Sequence, residues 1–395
     1  MIALQDVIVR QLMREDMPES VRMGEYCFHY ELSEEQRIVR AEQTDPSSML
    51  GLFVEGKLAS RLMVHSMRIY VQGRLMDMGG VAGVATWPEY RGRGAADKLM
   101  RAALASMREV GQTVSLLHPF RFAYYRKLGW ELLSEYRMYE CPPAILQGLG
   151  GKEYTTRRTD DWRVLDTLYT RYAMRYNGML QRDEAWWKKL LAGDSAHRAV
   201  CYDGEGKPQG YVRYKASGCT MIIYELVPLV AEARLSLLGY IGAHCSLIDA
   251  VKLRSPIVDP LLFLLAEPGV KHELKPDFMA RIVDIESFLK QYRFQSGGSS
   301  GSLLLQVTDS AAAWNNGSFL LEINAAGVGS CSRCNDSASQ RPAIEADIGA
   351  WTAMLLGVMR PSMLRECGRL TASDHQVSVL ERFIPAMPAY FADSY

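Results

Sequence analysis

The residues best suited to chemistry are concentrated between Val84 and Ala96. Val84-Ala85-Thr86 ends an apolar run, Trp87-Pro88 breaks it, and Arg91-Gly92-Arg93-Gly94-Ala95-Ala96 opens an apolar-striped segment. Glycines let backbone N–H groups approach a ligand closely. The first turn of a helix adds unpaired N–H donors and the positive end of its dipole. Arg91 and Arg93 add charge, so Arg91-x-x-Gly94-x-Ala96 suits a pyrophosphate. A glycine-rich cluster gains force only from its context. Here the context is a strand over residues 78–86, a helix over 95–110 and, about thirty residues on, Tyr124-Tyr125-Arg126-Lys127-Leu128-Gly129-Trp130.

These residues must be positioned by several domains, since 395 residues exceed one ordinary core. Hydrophobic residues make up 48% and charged residues 23%, the composition of a globular protein. Lys and Arg number 45 and so do Asp and Glu, so no basic excess points to nucleic acid. Residues 1–6 lack a charged region followed by an apolar run, and no signal peptide is expected. No apolar window approaches the roughly 18 residues of a membrane span. The eight scattered cysteines fit free thiols in a cytoplasmic chain. Cys331-Ser332-Arg333-Cys334 has no second ligand pair, so loop thiols are expected there and no metal.

Hairpins are expected around Glu55-Gly56-Lys57 and Gln72-Gly73-Arg74. Small residues, Gly79-Gly80-Val81-Ala82-Gly83-Val84, continue the second hairpin and mark either room for a ligand arm or a bulge. Strand, loop, helix and a strand over 113–117 then follow. Prolines at 142–143 and glycines at 148, 150 and 151 mark a boundary. A second unit repeats the hairpin, strand and helix order without the Arg/Gly loop. A third begins near Ile285. The expected fold is α/β, or α+β in the looser sense: two mixed-sheet domains, 1–150 and 151–284, and an α+β domain, 285–395.

The loop and the Tyr125-x-x-x-Gly129-Trp130 element resemble GNAT-type N-acetyltransferases. Arg281-Ile282-Val283-Asp284, Val307-x-Asp309, Trp314-Asn315-x-Gly317 and, more weakly, Asp347-Ile348-x-Ala350-Trp351 extend the likeness to the whole chain. The whole resembles the Eis ("enhanced intracellular survival") family, with tandem GNAT-like domains and a last domain similar to sterol carrier proteins.

The resemblance implies direct acetyl transfer from acetyl-CoA to an amine, without a metal. Loop N–H groups of Arg91, Gly92, Arg93, Gly94, Ala95 and Ala96 would grip the pyrophosphate. Val84, Ala85 and Thr86 would pair with pantetheine as an added strand does. Tyr125, a phenol of pKa about 10, would protonate the leaving thiolate. Tyr124 is its alternative, since neighbours on a strand face opposite ways. The proton acceptor implied by the family is the carboxylate of Tyr395. His29, His65 and His118 are alternatives, and His118 is the best placed of them in sequence. Glu25 and Asp393 are candidates to hold a cationic acceptor: an aminoglycoside- or polyamine-like molecule, or a lysine. No nucleic acid or membrane partner is implied; a homo-oligomer, as large as a hexamer, is. The competing reading is a binding protein that senses acetyl-CoA or holds an apolar ligand in its third domain.

Overall fold

The computed structural model describes residues 6–193, 195–334 and 342–395. Residues 1–5, which carry most of the signal-peptide expectation, lie outside the described residues.

In the first unit β1 (Val7–Gln11), β2 (Met49–Val54), β3 (Lys57–Val71), β4 (Arg74–Thr86), β5 (Val114–Leu117) and β6 (Glu131–Leu132) form a sheet. Its helices are α1 (Met17–Phe28), α2 (Glu34–Gln43), α3 (Ala95–Glu109) and α4 (Phe122–Arg126). Both hairpin turns use paired left-handed residues, Glu55-Gly56 at φ 50° and 76° and Gln72-Gly73 at 50° and 71°. That geometry matches the twist of the flanking strands. β3 and β4 are long and unbroken, so the two short hairpins expected there share β3.

The second unit comprises β7 (Glu135–Cys141), β8 (Thr155–Arg158), β9 (His197–Tyr202), β10 (Pro208–Ser217), β11 (Thr220–Pro228), β12 (Ala250–Pro256) and β13 (Lys271–Pro276). Its helices are α5 (Trp162–Ala173), α6 (Glu184–Ala192), α7 (Ala231–Gly242) and α8 (Leu261–Leu264). β14 (Met279–Ile282) follows. The third unit then runs α9 (Ile285–Gln291), β15 (Gly301–Thr308), β16 (Gly317–Ile323), β17 (Gly329–Cys334), β18 (Ile344–Asp347), α10 (Ile348–Leu355), α11 (Pro361–Glu366) and α12 (Asp374–Phe383).

The first two units exchange strands. The first sheet has the order β1-β2-β3-β4-β5-β14-β6 and the second β13-β7-β12-β11-β10-β9-β8. β7 falls within the expected first domain but pairs with β12 and β13. β14 falls within the expected second domain but pairs with β5 and β6. The boundary at 150 therefore separates sequence blocks that both large sheets cross, while the third sheet lies wholly beyond 284. Such pairing depends on partners far along the chain, which local pattern does not report.

The third sheet, β17-β16-β15-β18, shares one core with the first. Phe288, Phe319, Trp351 and Phe383 of the third unit are fully buried and belong to the same apolar cluster as Ile69, Val71 and Met76. The C-x-x-C pair sits on β17, not on a loop, and Cys331 is buried.

Candidate active site

The site grows from a fork in the first sheet. β4 and β5 run parallel and pair only from Met78↔Val114 to Val81↔Leu117. Beyond Val81, β4 continues to Thr86 while β5 stops at Leu117. On its other side β4 bulges. Met63 pairs with Ala82 and Arg61 with Ala85, so Gly83 and Val84 oppose the single residue Leu62. Gly83 takes φ 58° there. The small-residue run thus serves both readings: a bulge, and a bare strand edge beside an opening.

A cavity of about 670 Å³ fills the fork, lined by Val84, Ala85, Thr86, Arg91, Gly92 and Gly94 to Asp97. The expected loop residues therefore surround one space, apart from Arg93, which is exposed beside it. Gly92 and Gly94 have φ 72° and 81°, which L side chains rarely adopt. Neither has an atom within 4 Å of where a Cβ would stand, so the loop backbone is open to a ligand. Gly94 caps α3 with no side-chain hydrogen bond, leaving the first-turn N–H groups without a side-chain acceptor. Arg91 is exposed and donates from Nε to the Thr86 carbonyl at 3.0 Å. That contact fixes the loop against the strand end, and it occupies an oxygen expected to face pantetheine.

Sequence reasoning missed part of this wall. Cys27 and Phe28 line the cavity from α1 and Phe120 from the turn before α4. Cys27 lies in the last turn of α1, a helix not assigned from the sequence. The signal was present: Pro18 in the first turn and apolar Met17, Val21 and Phe28 at helical spacing.

Tyr124 and Tyr125 lie on helix α4, not on a strand, so they do not point to opposite faces. Their rings meet edge-on at 5.0 Å and 79°. Tyr124 lines the cavity, and its hydroxyl is buried without a hydrogen-bond partner among the described residues. Burial, with the Asp97 charge adding to it, pushes that phenol up to about 12. Tyr125 is 3% exposed, and burial raises its phenol further still. Both remain protonated at neutral pH. Gly129 turns the chain at φ 85°, and a Cβ there would meet Ile348 and Arg281. The spacing Tyr125-x-x-x-Gly129 is thus set by third-unit packing behind the site.

The tail reaches the first sheet. The Tyr395 ring lies against Gly80, 5.6 Å from the His65 ring and 5.6 Å from Phe278. Its hydroxyl is buried and has no hydrogen-bond partner among the described residues. His65 is half-buried, and burial, aided by the Lys189 charge, lowers its pKa. His118 instead has a mostly exposed side chain, 3.7 Å from Asp277. His29 is the exposed left-handed residue that ends α1.

The two carboxylates expected to face a cationic acceptor are already engaged. Glu25 accepts from Arg37 at 2.8 Å and from the Leu32 N–H at 2.9 Å. Asp393 accepts from Arg182 at 2.9 Å, Trp186 at 3.2 Å and Tyr169 at 3.1 Å. Among the described residues no group of three or more His, Cys, Asp or Glu is placed to hold a metal ion.

Comparison with known proteins agrees with this geometry. Residues 8–133 and 178–282 each match a family described as an acetyltransferase (GNAT) domain, and residues 285–392 match a sterol carrier protein domain. Two curated Streptomyces griseus proteins, described as uncharacterised N-acetyltransferases, are 24% identical over 329 residues, 75% of this chain and 77% of theirs. A solved Enterococcus faecalis protein, titled a probable N-acyltransferase, superposes with a TM-score of 0.89 at 27% identity, covering 99% of this chain and all of the other. A GCN5-related N-acetyltransferase from Anabaena variabilis (TM-score 0.86, 23% identity, 98% of this chain and all of that one) has the same fold. So has Eis1 from Mycobacterium abscessus (0.78, 20% identity, 98% and all). With these likenesses, the forked sheet and the open loop, the chain is a GNAT-type N-acetyltransferase of Eis-like build, two acetyltransferase domains followed by a sterol-carrier-protein-like domain.

Proposed function

We propose that the first unit binds acetyl-CoA in the fork and transfers its acetyl group directly to a primary amine. The observation that carries this reading is the cavity that joins the open loop at Arg91–Ala96 to the bare β4 edge at Val84–Thr86. Loop and first-turn N–H groups would hold the pyrophosphate, with Arg91 and Arg93 adding charge. The pantetheine arm would run down β4, leaving the thioester beside the Gly83 bulge.

Two proton transfers and an oxyanion remain. Tyr125, held protonated by burial, donates to the departing thiolate, with the cavity-lining Tyr124 packed edge-on against it. The incoming ammonium gives up its proton toward the Tyr395 carboxylate. His65, kept neutral by burial and packed against the Tyr395 ring, is the nearest relay. A β4 N–H near the bulge steadies the oxyanion. The second unit serves as scaffold, since α7 follows β11 with no Arg/Gly loop between them.

The acceptor class expected from sequence, an aminoglycoside- or polyamine-like cation or a lysine, draws no support from Glu25 and Asp393, which are both paired. The test is release of CoA and formation of acetylated amine across polyamines, aminoglycosides, lysine peptides and amino acids, by intact protein and by Y125F. Transfer by the intact protein, with loss in Y125F, supports the reading. Binding of acetyl-CoA with no acetylated amine from any class counts against it.

A further inference from the structure

Arg61 of β3 is 8% exposed, and its side chain makes no hydrogen bond and no ion pair among the described residues. Its Nε is fully buried and unpartnered. Room has been made for its guanidinium from two sides. A Cβ on Gly24 of α1 would lie 2.4 Å from one terminal nitrogen, and a Cβ on Gly83 of the bulge 2.8 Å from the other. The guanidinium lies 6.0 Å from the ring centroid of Phe28, which lines the cavity, and the Tyr30 hydroxyl stands on its Gly24 side. Burial draws its pKa down, with partial relief from Tyr30 and Cys27. A buried cation without a counter-charge is costly, and its partner is then expected to arrive with a ligand.

The second unit supplies an internal contrast. Its own bulge lies between Arg213 and Tyr214, where Arg213 pairs with Glu225 across the strands. There the chain provides the counter-charge, with Arg213 3.5 Å from the Glu225 carboxylate. In the first unit Arg61 pairs across the strands with Ala85. The unit with the open loop leaves its bulge arginine unneutralised, and the unit without the loop does not.

Acetyl-CoA does not supply the missing anion. Its phosphates belong at residues 91–96, and the thioester that would lie beside Gly83 is neutral. The remaining component is the acceptor. We propose that Arg61 binds a carboxylate of the acceptor, so that the substrate is a short amino acid whose amine and carboxylate are close together. The guanidinium fork takes a carboxylate through two parallel hydrogen bonds, which holds the adjacent amine toward the thioester at the bulge. The proposal rests on the acetyl-transfer reading above and narrows its acceptor.

The experiment is a calorimetric titration of the CoA-loaded protein with the common α-amino acids, each beside its primary amide, followed by kcat/KM for the pairs that bind. The expected result is a preference of about ten- to a hundred-fold for at least one free acid over its amide. R61Q should abolish that preference while still binding acetyl-CoA, and R61K should retain part of it. Equal binding of acid and amide overturns the carboxylate site. So does acetylation of polyamines alone, or a fall in R61Q turnover that is the same for acid and amide. Those three results leave acetyl transfer standing. Absence of acetyl-CoA binding to the intact protein removes both readings.

Discussion

Arg281 and Asp309 form an ion pair from which solvent is wholly excluded, and Arg281 also donates to the Leu128 carbonyl. Asp309 receives further hydrogen bonds from Asn315 at 2.9 Å and from the Ala311 N–H at 2.9 Å. Trp314 reaches back to the Val283 carbonyl at 2.8 Å. The third-unit motifs therefore form a clasp. It holds that unit against the turn that follows α4, and neither Arg281 nor Asp309 lines the cavity in the fork.

Breaking the clasp should cost stability before chemistry. D309A leaves the Arg281 charge buried and unpaired, a loss of about 3–5 kcal/mol. Thermal unfolding should fall by many degrees. The surviving folded fraction should keep its acetyl-CoA affinity, measured by calorimetry below the new transition.

Replacing Tyr125 by Phe should lower kcat by about 100- to 10 000-fold with little change in the KM for acetyl-CoA. Y124F should cost less. The larger effect in Y124F would transfer the acid role to the residue that lines the cavity. Burial raises both phenols, so neither should ionise below about pH 10, and the pH–rate profile should carry no alkaline loss from them up to that point.

Ala at Gly94 must hold φ 81°, a strain of roughly 1–2 kcal/mol for an L residue. There is open space around the position, so the expected penalty comes from backbone. G94A should fold with a modestly lower Tm and bind acetyl-CoA distinctly more weakly. R91A should weaken acetyl-CoA binding with only a small fall in Tm, since Arg91 is exposed and loses its hydrogen bond to the Thr86 carbonyl.

Acid stability should depend on Glu225. Burial alone would raise its pKa, but Arg182 and Arg213 hold it down at about 2. A carboxyl lower in the folded than in the unfolded chain stabilises the fold above the unfolded value. That contribution disappears as pH falls through the folded value. Stability should therefore drop between about pH 5 and pH 2. E225Q should be less stable at pH 7 and show a flatter decline over that window, measured by urea unfolding.

What the sequence disclosed was local. The pyrophosphate loop, its helix and both two-residue turns are contiguous, with their glycine requirements written in neighbouring residues. What it withheld was pairing at a distance. β7 falls in the first sequence block and β14 in the second, and nothing in their residues reports that each completes the other unit's sheet. Tyr124 and Tyr125 read equally as strand or helix over so short a stretch. Asp393 looked free in a tail and is held by Arg182, distant in sequence. Arg61 reads as one charge in an apolar strand. Its isolation follows only when Gly24 and Gly83 close around it.

The central claim is that the first unit's fork binds acetyl-CoA and delivers its acetyl group to an amine. The most direct measurement is mass spectrometry of an amine panel after incubation with isotopically labelled acetyl-CoA, run with intact protein and with Y125F. The account predicts a labelled acetyl group on a free amine with the intact protein and a loss of at least about 100-fold with Y125F. Labelled acetate without labelled amine, or equal transfer by both proteins, would contradict it.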